Sequence, residues 1–73
     1  MAEIAVRSEV VGVVARIAAA QGARVAEGDE MVILEAMKME LPVLAPAAGT
    51  VTAILVAEGD QVGEGQVLAR LAR

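Results

Sequence analysis

Displaced by 37 positions, the sequence aligns with itself without a gap. Gly12-Val13-Val14 falls on Gly49-Thr50-Val51, Ile17 on Ile54, Gly22 on Gly59 and Val25 on Val62. Glu27-Gly28 falls on Glu64-Gly65, and the outer matches pair Val6 with Val43 and Leu34 with Leu71. Such self-similarity means one supersecondary unit used twice. Two copies are too few for a solenoid, so the units are expected to bury their apolar faces against each other. The 73 residues are read as one domain, 1–73.

The units read as β-structure. Thr50-Val51-Thr52-Ala53-Ile54-Leu55-Val56 is rich in β-branched residues and follows a glycine. Gly22, Gly28, Gly59 and Gly65 punctuate the chain at intervals expected of turns, where glycine supplies positive φ without a Cβ clash. Gly49 is given the same reading. Taken alone, Val14–Gln21 has an alanine-rich helix propensity, but its repeat partner has strand composition, and the repeat favours strand. The expected strands are 3–7, 10–19, 23–26, 31–36, 39–44, 49–56, 61–63 and 67–71. Short strands with regular turns point to a sandwich or barrel.

Composition excludes several functions. The chain has no His, no Cys and no aromatic residue, so thiolate metal sites, disulfides and the commonest general bases are missing. Ten acids against six bases give a net charge of −4, and the arginines are dispersed. Nucleic-acid binding needs clustered cations to displace counterions, and stacking platforms for bases; neither is present. The apolar stretch Val10–Ala20 is short and interrupted by Arg16, so no membrane role is expected. The first residues lack the basic start of a signal peptide, and a cytoplasmic location is expected.

The chemistry that remains centres on one amine. Lys38 is the only lysine, set in Glu35-Ala36-Met37-Lys38-Met39-Glu40 at the junction of the two copies. A junction between antiparallel strands is a hairpin tip, exposed and suited to function. Coding bias toward arginine could leave a lone lysine anywhere, but its place at the repeat centre between two methionines argues against chance. The hexapeptide resembles the attachment motif of biotinyl domains, whose core is Ala/Val-Met-Lys-Met. The resemblance extends over nearly the whole chain, through Glu27-Gly28-Asp29, Ala45-Pro46, Gly49 and Glu58-Gly59-Asp60.

The resemblance implies an all-β fold, a flattened barrel of two four-stranded antiparallel sheets related by a pseudo-twofold axis. It also implies that Lys38 is acylated with biotin by a biotin protein ligase. The carrier would then visit a biotin carboxylase and a carboxyltransferase acting on an acyl-CoA or keto acid, as in an acetyl-CoA carboxylase. By the same resemblance, Met37 and Met39 help present the biotinylated lysine, and Glu35 serves recognition by the ligase. For Met37 and Met39 the plain alternative is core filling beneath the turn; for Glu35 it is an ordinary solvated carboxylate. Glu40 has only that plain reading. With no nucleophile–base pair, the chain is expected to be a non-catalytic carrier. The alternatives are a lipoyl carrier, disfavoured by methionines where lipoyl motifs carry Asp before the lysine and Ala after it, and an unmodified interaction module. Larger carriers often add a Pro/Ala-rich linker and some a protruding loop in the first half. The gap-free repeat has no such loop, so a separate subunit or small accessory carrier is expected.

Overall fold

The computed structural model describes residues 2–73. Eight strands follow in order: β1 (Glu3–Arg7), β2 (Gly12–Ile17), β3 (Arg24–Val25), β4 (Glu30–Ala36), β5 (Met39–Leu44), β6 (Gly49–Ile54), β7 (Gln61–Val62) and β8 (Val67–Ala72). They form two four-stranded antiparallel sheets, ordered β1-β8-β6-β3 and β5-β4-β2-β7. The described residues contain no helix. The all-β expectation is correct, and Val14–Gln21 resolves as a strand that ends at Ile17 rather than Ala19. Its ladder stops because Ala18 and Ala19 both donate to the one carbonyl of Met31. The second copy likewise ends at Ile54, short of the expected Val56.

A shift of 37 residues, forward for first-copy strands and back for second-copy strands, turns one sheet into the other. β1 becomes β5 and β3 becomes β7, while β6 and β8 answer β2 and β4. Each sheet therefore takes two strands from each copy. The hydrogen bonds repeat with the same offset. Ser8 N donates to Gln66 O as Ala45 N donates to Asp29 O, and Gly22 N donates to Val51 O as Gly59 N donates to Val14 O. Even the ladder irregularities match, between Val14 and Arg16 and between Val51 and Ala53. The core between the sheets is aliphatic: Val6, Val14, Met31, Val32, Leu34, Val51, Leu68 and Leu71 are buried.

Glycine plays two separate roles. Gly22, Gly28, Gly59 and Gly65 lie at φ of 82–90°, as their turn reading requires. Two of these turns are closed by Asp29 and Asp60, whose carboxylates accept from the N–H of Ala26 and Ala57. Gly49 departs from expectation. It begins β6 outside the positive-φ region, and what it provides is closeness: a Cβ there would collide with the carbonyl of Ala72. Gly12, its repeat partner, would bring a Cβ to 2.6 Å from the Glu35 carbonyl.

The turn joining β4 to β5 is different. Met37 and Lys38 are its two central residues, with φ of 53° and 64°, and they are the only non-glycine residues at positive φ among those described. Ala36 and Met39 close it as the last ladder pair. Positive φ at both central positions is the mark of a type I′ hairpin, whose twist matches that of the flanking strands. The left-handed region is disfavoured for residues with a Cβ by roughly 1–2 kcal/mol each.

Two outcomes are expected. Gly49→Val lowers the melting temperature sharply through collision with β8, while Gly63→Ala, in open space without positive φ, leaves it nearly unchanged; equal melting of the two variants would refute the steric role. Met37→Gly relieves the left-handed strain and raises unfolding free energy by about 1 kcal/mol in denaturant titration; a loss of stability would contradict the strained-turn reading.

Candidate functional site

The hairpin carries its side chains on two faces. Glu35 faces Glu40 across the ladder, Ala36 faces Met39 and Leu34 faces Leu41. Alternation along the strands puts the two carboxylates on one face. Leu34, Ala36, Met39 and Leu41 share the other face, and buried Leu34 anchors that row in the core. Lys38 stands between the faces at the tip, with its side chain exposed. The ammonium is thus held out by two ordered strands, open to an approaching enzyme.

The sequence-predicted residues lie close together in the fold. Lys38, Met37, Met39 and Glu35 are all exposed around one turn. Met37 is 93% accessible and Met39 61%, which removes the core-filling alternative for both. Met31 is the methionine that fills the core, fully buried in β4. Strand alternation holds for Met39 and Glu40 but not for Met37, because Met37 and Lys38 are the turn itself. Glu35 and Glu40 form a like-charged cross-strand pair, an arrangement that opposes pairing. The strands therefore keep these acids in spite of their effect on the hairpin.

Sequence reasoning missed the neighbours of this turn. The loop between β1 and β2 brings Glu9, Val10 and Val11 against Ala36, Met37, Met39 and Leu41, with Glu64 alongside, around an open cleft of about 430 Å³. These residues lie far from Lys38 in sequence, and only the sheet order places them beside it. One signal was available. The repeat sets Val10-Val11 against Ala47-Ala48 and Ser8 against Ala45, so this loop next to the tip carries larger apolar side chains than its counterpart in the second copy.

Among the described residues no cluster of acidic side chains is arranged to hold a metal ion. Ser8, the buried hydroxyl, is engaged with the backbone of Val10. What the geometry offers is a presented primary amine. The other conspicuous motif carboxylates, Asp29 and Asp60, close turns.

Comparison with known proteins agrees with this geometry. Residues 4–71 match the family described as "Biotin-requiring enzyme". The chain is 48% identical over 44 residues to the biotinylated protein TB7.3 homolog of Mycobacterium leprae, covering 60% of this chain and 62% of that protein. It is 43% identical over 67 residues to the biotin-dependent acyl-coenzyme A carboxylase alpha3 subunit of the same organism, covering 92% of this chain and 11% of the subunit. Two solved structures superpose closely. A single-chain, multi-domain long-chain acyl-CoA carboxylase gives a TM-score of 0.92 at 38% identity, over 97% of this chain and 7% of that one. The urea carboxylase of Kluyveromyces lactis gives 0.94 at 36% identity, over 99% and 6%. The chain thus spans less than two thirds of these relatives. With the match running from β1 into β8 and across the Lys38 hairpin, the chain belongs to the biotin-requiring enzyme family.

Proposed function

We propose that this chain is a biotin carboxyl carrier, with biotin joined in amide linkage to Nζ of Lys38. The observation that carries the reading is the sole lysine of the sequence at the exposed tip of a two-residue hairpin. Membership of the family and the biotinylated relatives support it. A biotin protein ligase supplies the activated acyl group. Lys38 Nζ, once it has lost a proton, attacks the acyl carbon, the leaving group departs with the electrons of its bond, and the amide forms.

When bound, biotin supplies a ureido nitrogen that can accept and give up a carboxylate. The chain's residues contribute position. The four methylenes of Lys38 and the valeryl chain make an arm on the order of 15 Å, from single bonds near 1.5 Å. Tethering keeps the effective concentration high at any active site the tip can enter. Met37 and Met39 offer adaptable apolar contact around the base of the arm, and Glu35 offers the ligase an anionic contact. The partners of this reading are a biotin carboxylase and a carboxyltransferase, with the chain itself non-catalytic. An acyl-CoA acceptor is favoured over a keto acid by the likeness to acyl-CoA carboxylase sequences and structures.

Incubation with biotin protein ligase, ATP and biotin is expected to add one biotin per chain by intact mass, visible on an avidin blot. Lys38→Arg keeps the fold by circular dichroism and abolishes the label. A labelled Lys38→Arg variant, or a folded wild-type chain that the ligase leaves unlabelled, would refute the assignment. A lipoyl adduct on protein isolated from its native cells would replace biotin with the other family cofactor.

A further inference from the structure

The two ends of this pseudo-symmetric barrel differ in decoration. In the first copy the loop after β1 reads Ser8-Glu9-Val10-Val11; the repeat places Ala45-Pro46-Ala47-Ala48 at the corresponding positions. The larger side chains lie at the Lys38 end. Val11 is 75% accessible, and with Met37 and Met39 it makes three of the five large apolar side chains exposed on the described surface. Leu41, partly buried, forms the floor. Glu9 and Glu64, both exposed, stand at the margin of the same cleft.

The loop is held firmly. Ser8 N donates to Gln66 O and Gly65 N donates to Ser8 O. Arg7 Nη1 reaches the Gly65 carbonyl at 2.8 Å. The Ser8 hydroxyl, 2% accessible, donates to Val10 O at 2.6 Å and accepts from Val10 N at 3.2 Å. At the repeat position Ala45 has no hydroxyl to make the last two contacts. Val11 is thus an exposed apolar side chain on an anchored loop. Val11, Met37 and Met39 thus stand together at the surface, with Glu9 and Glu64 at their margin.

We infer that this shelf, Val10, Val11, Met39 and Leu41 with Glu9 and Glu64 at its edge, receives the bicyclic ring of the arm on Lys38 between visits to the partner enzymes. The inference rests on the biotin carrier reading. Three features fit that occupant. The sulfur-containing ring is apolar and matches a surface of valine and methionine, where a thioether adapts to irregular contacts. The ureido ring presents two N–H donors, and the shelf edge offers carboxylate acceptors, which make the stronger class of hydrogen bond. The ring is also tethered next to the shelf: Met37 and Met39, which flank Lys38, line the cleft. A folded-back arm on the order of 15 Å has ample length, and the tether supplies a high effective concentration.

The test uses the intact chain carrying ¹³C-labelled Val and Met methyl groups. It is biotinylated by ligase, with the product verified by intact mass. Methyl spectra with and without the label are expected to differ at Val10 and Val11 as well as at Met37 and Met39, with nuclear Overhauser effects between the bicyclic ring and the Val11 methyls. Val11→Ser, at an exposed position, is expected to keep the fold and the biotin label. It should remove the ring contacts that remain observable at Val10. Glu9→Gln is expected to weaken them. Spectral changes confined to Met37 and Met39, with ring relaxation typical of a free arm, would overturn the shelf while leaving the carrier assignment intact. A chain that stays unlabelled by mass would overturn both.

Discussion

The structure depends on the interlocking of two copies of one unit. Neither copy can complete its hydrogen bonding alone, because β1 and β3 of the first lie in the sheet built around β6 and β8 of the second, and β5 and β7 return the exchange. The aliphatic core between the sheets is shared in the same way, with Leu34 and Leu71 contributed to it from repeat-related positions. A chain of this size buries a modest share of its surface, and this one lacks aromatic rings to enlarge the core. The exchange lets both units draw on one core, and so provides the rigidity from which a hairpin can project.

The hairpin is where symmetry gives way to function. β4 and β5 are joined through Met37 and Lys38, both in the left-handed region. Asn-Gly would suit such a turn better on conformational grounds. Methionine and lysine occupy it instead, and a pair of like-charged glutamates sits opposite each other one step further down the ladder. Both choices oppose local stability. They are tolerated because the strands below are fixed by the sheet and core, a recurring pattern where backbone strain accompanies a functional site. The result is an amine held at a defined height and orientation, with acids on one face of the hairpin and apolar groups on the other.

Much of this was legible in the chain itself. The 37-residue offset locates the junction of the two units, and Lys38 lies at that junction. The glycine turns were readable because positive φ leaves a clear residue preference. Gly49 was misread for a physical reason: glycine serves both turns and close backbone approach, and the carbonyl of Ala72 that makes the difference is remote in sequence. β2 stops short of its expected end where Ala18 and Ala19 share the Met31 carbonyl, an arrangement with no local signature.

The sequence by itself determined that there are two like units, that they are β-structure, and that one lysine lies where they join. These follow from periodicity, residue preference and count, all of which are local along the chain. Only the tertiary structure decided that Met37 and Met39 face solvent while Met31 fills the core, and that Val10 and Val11 stand beside the lysine. Those facts depend on which strands become neighbours and how tightly their backbones approach, and such contacts join residues that no short stretch of sequence contains.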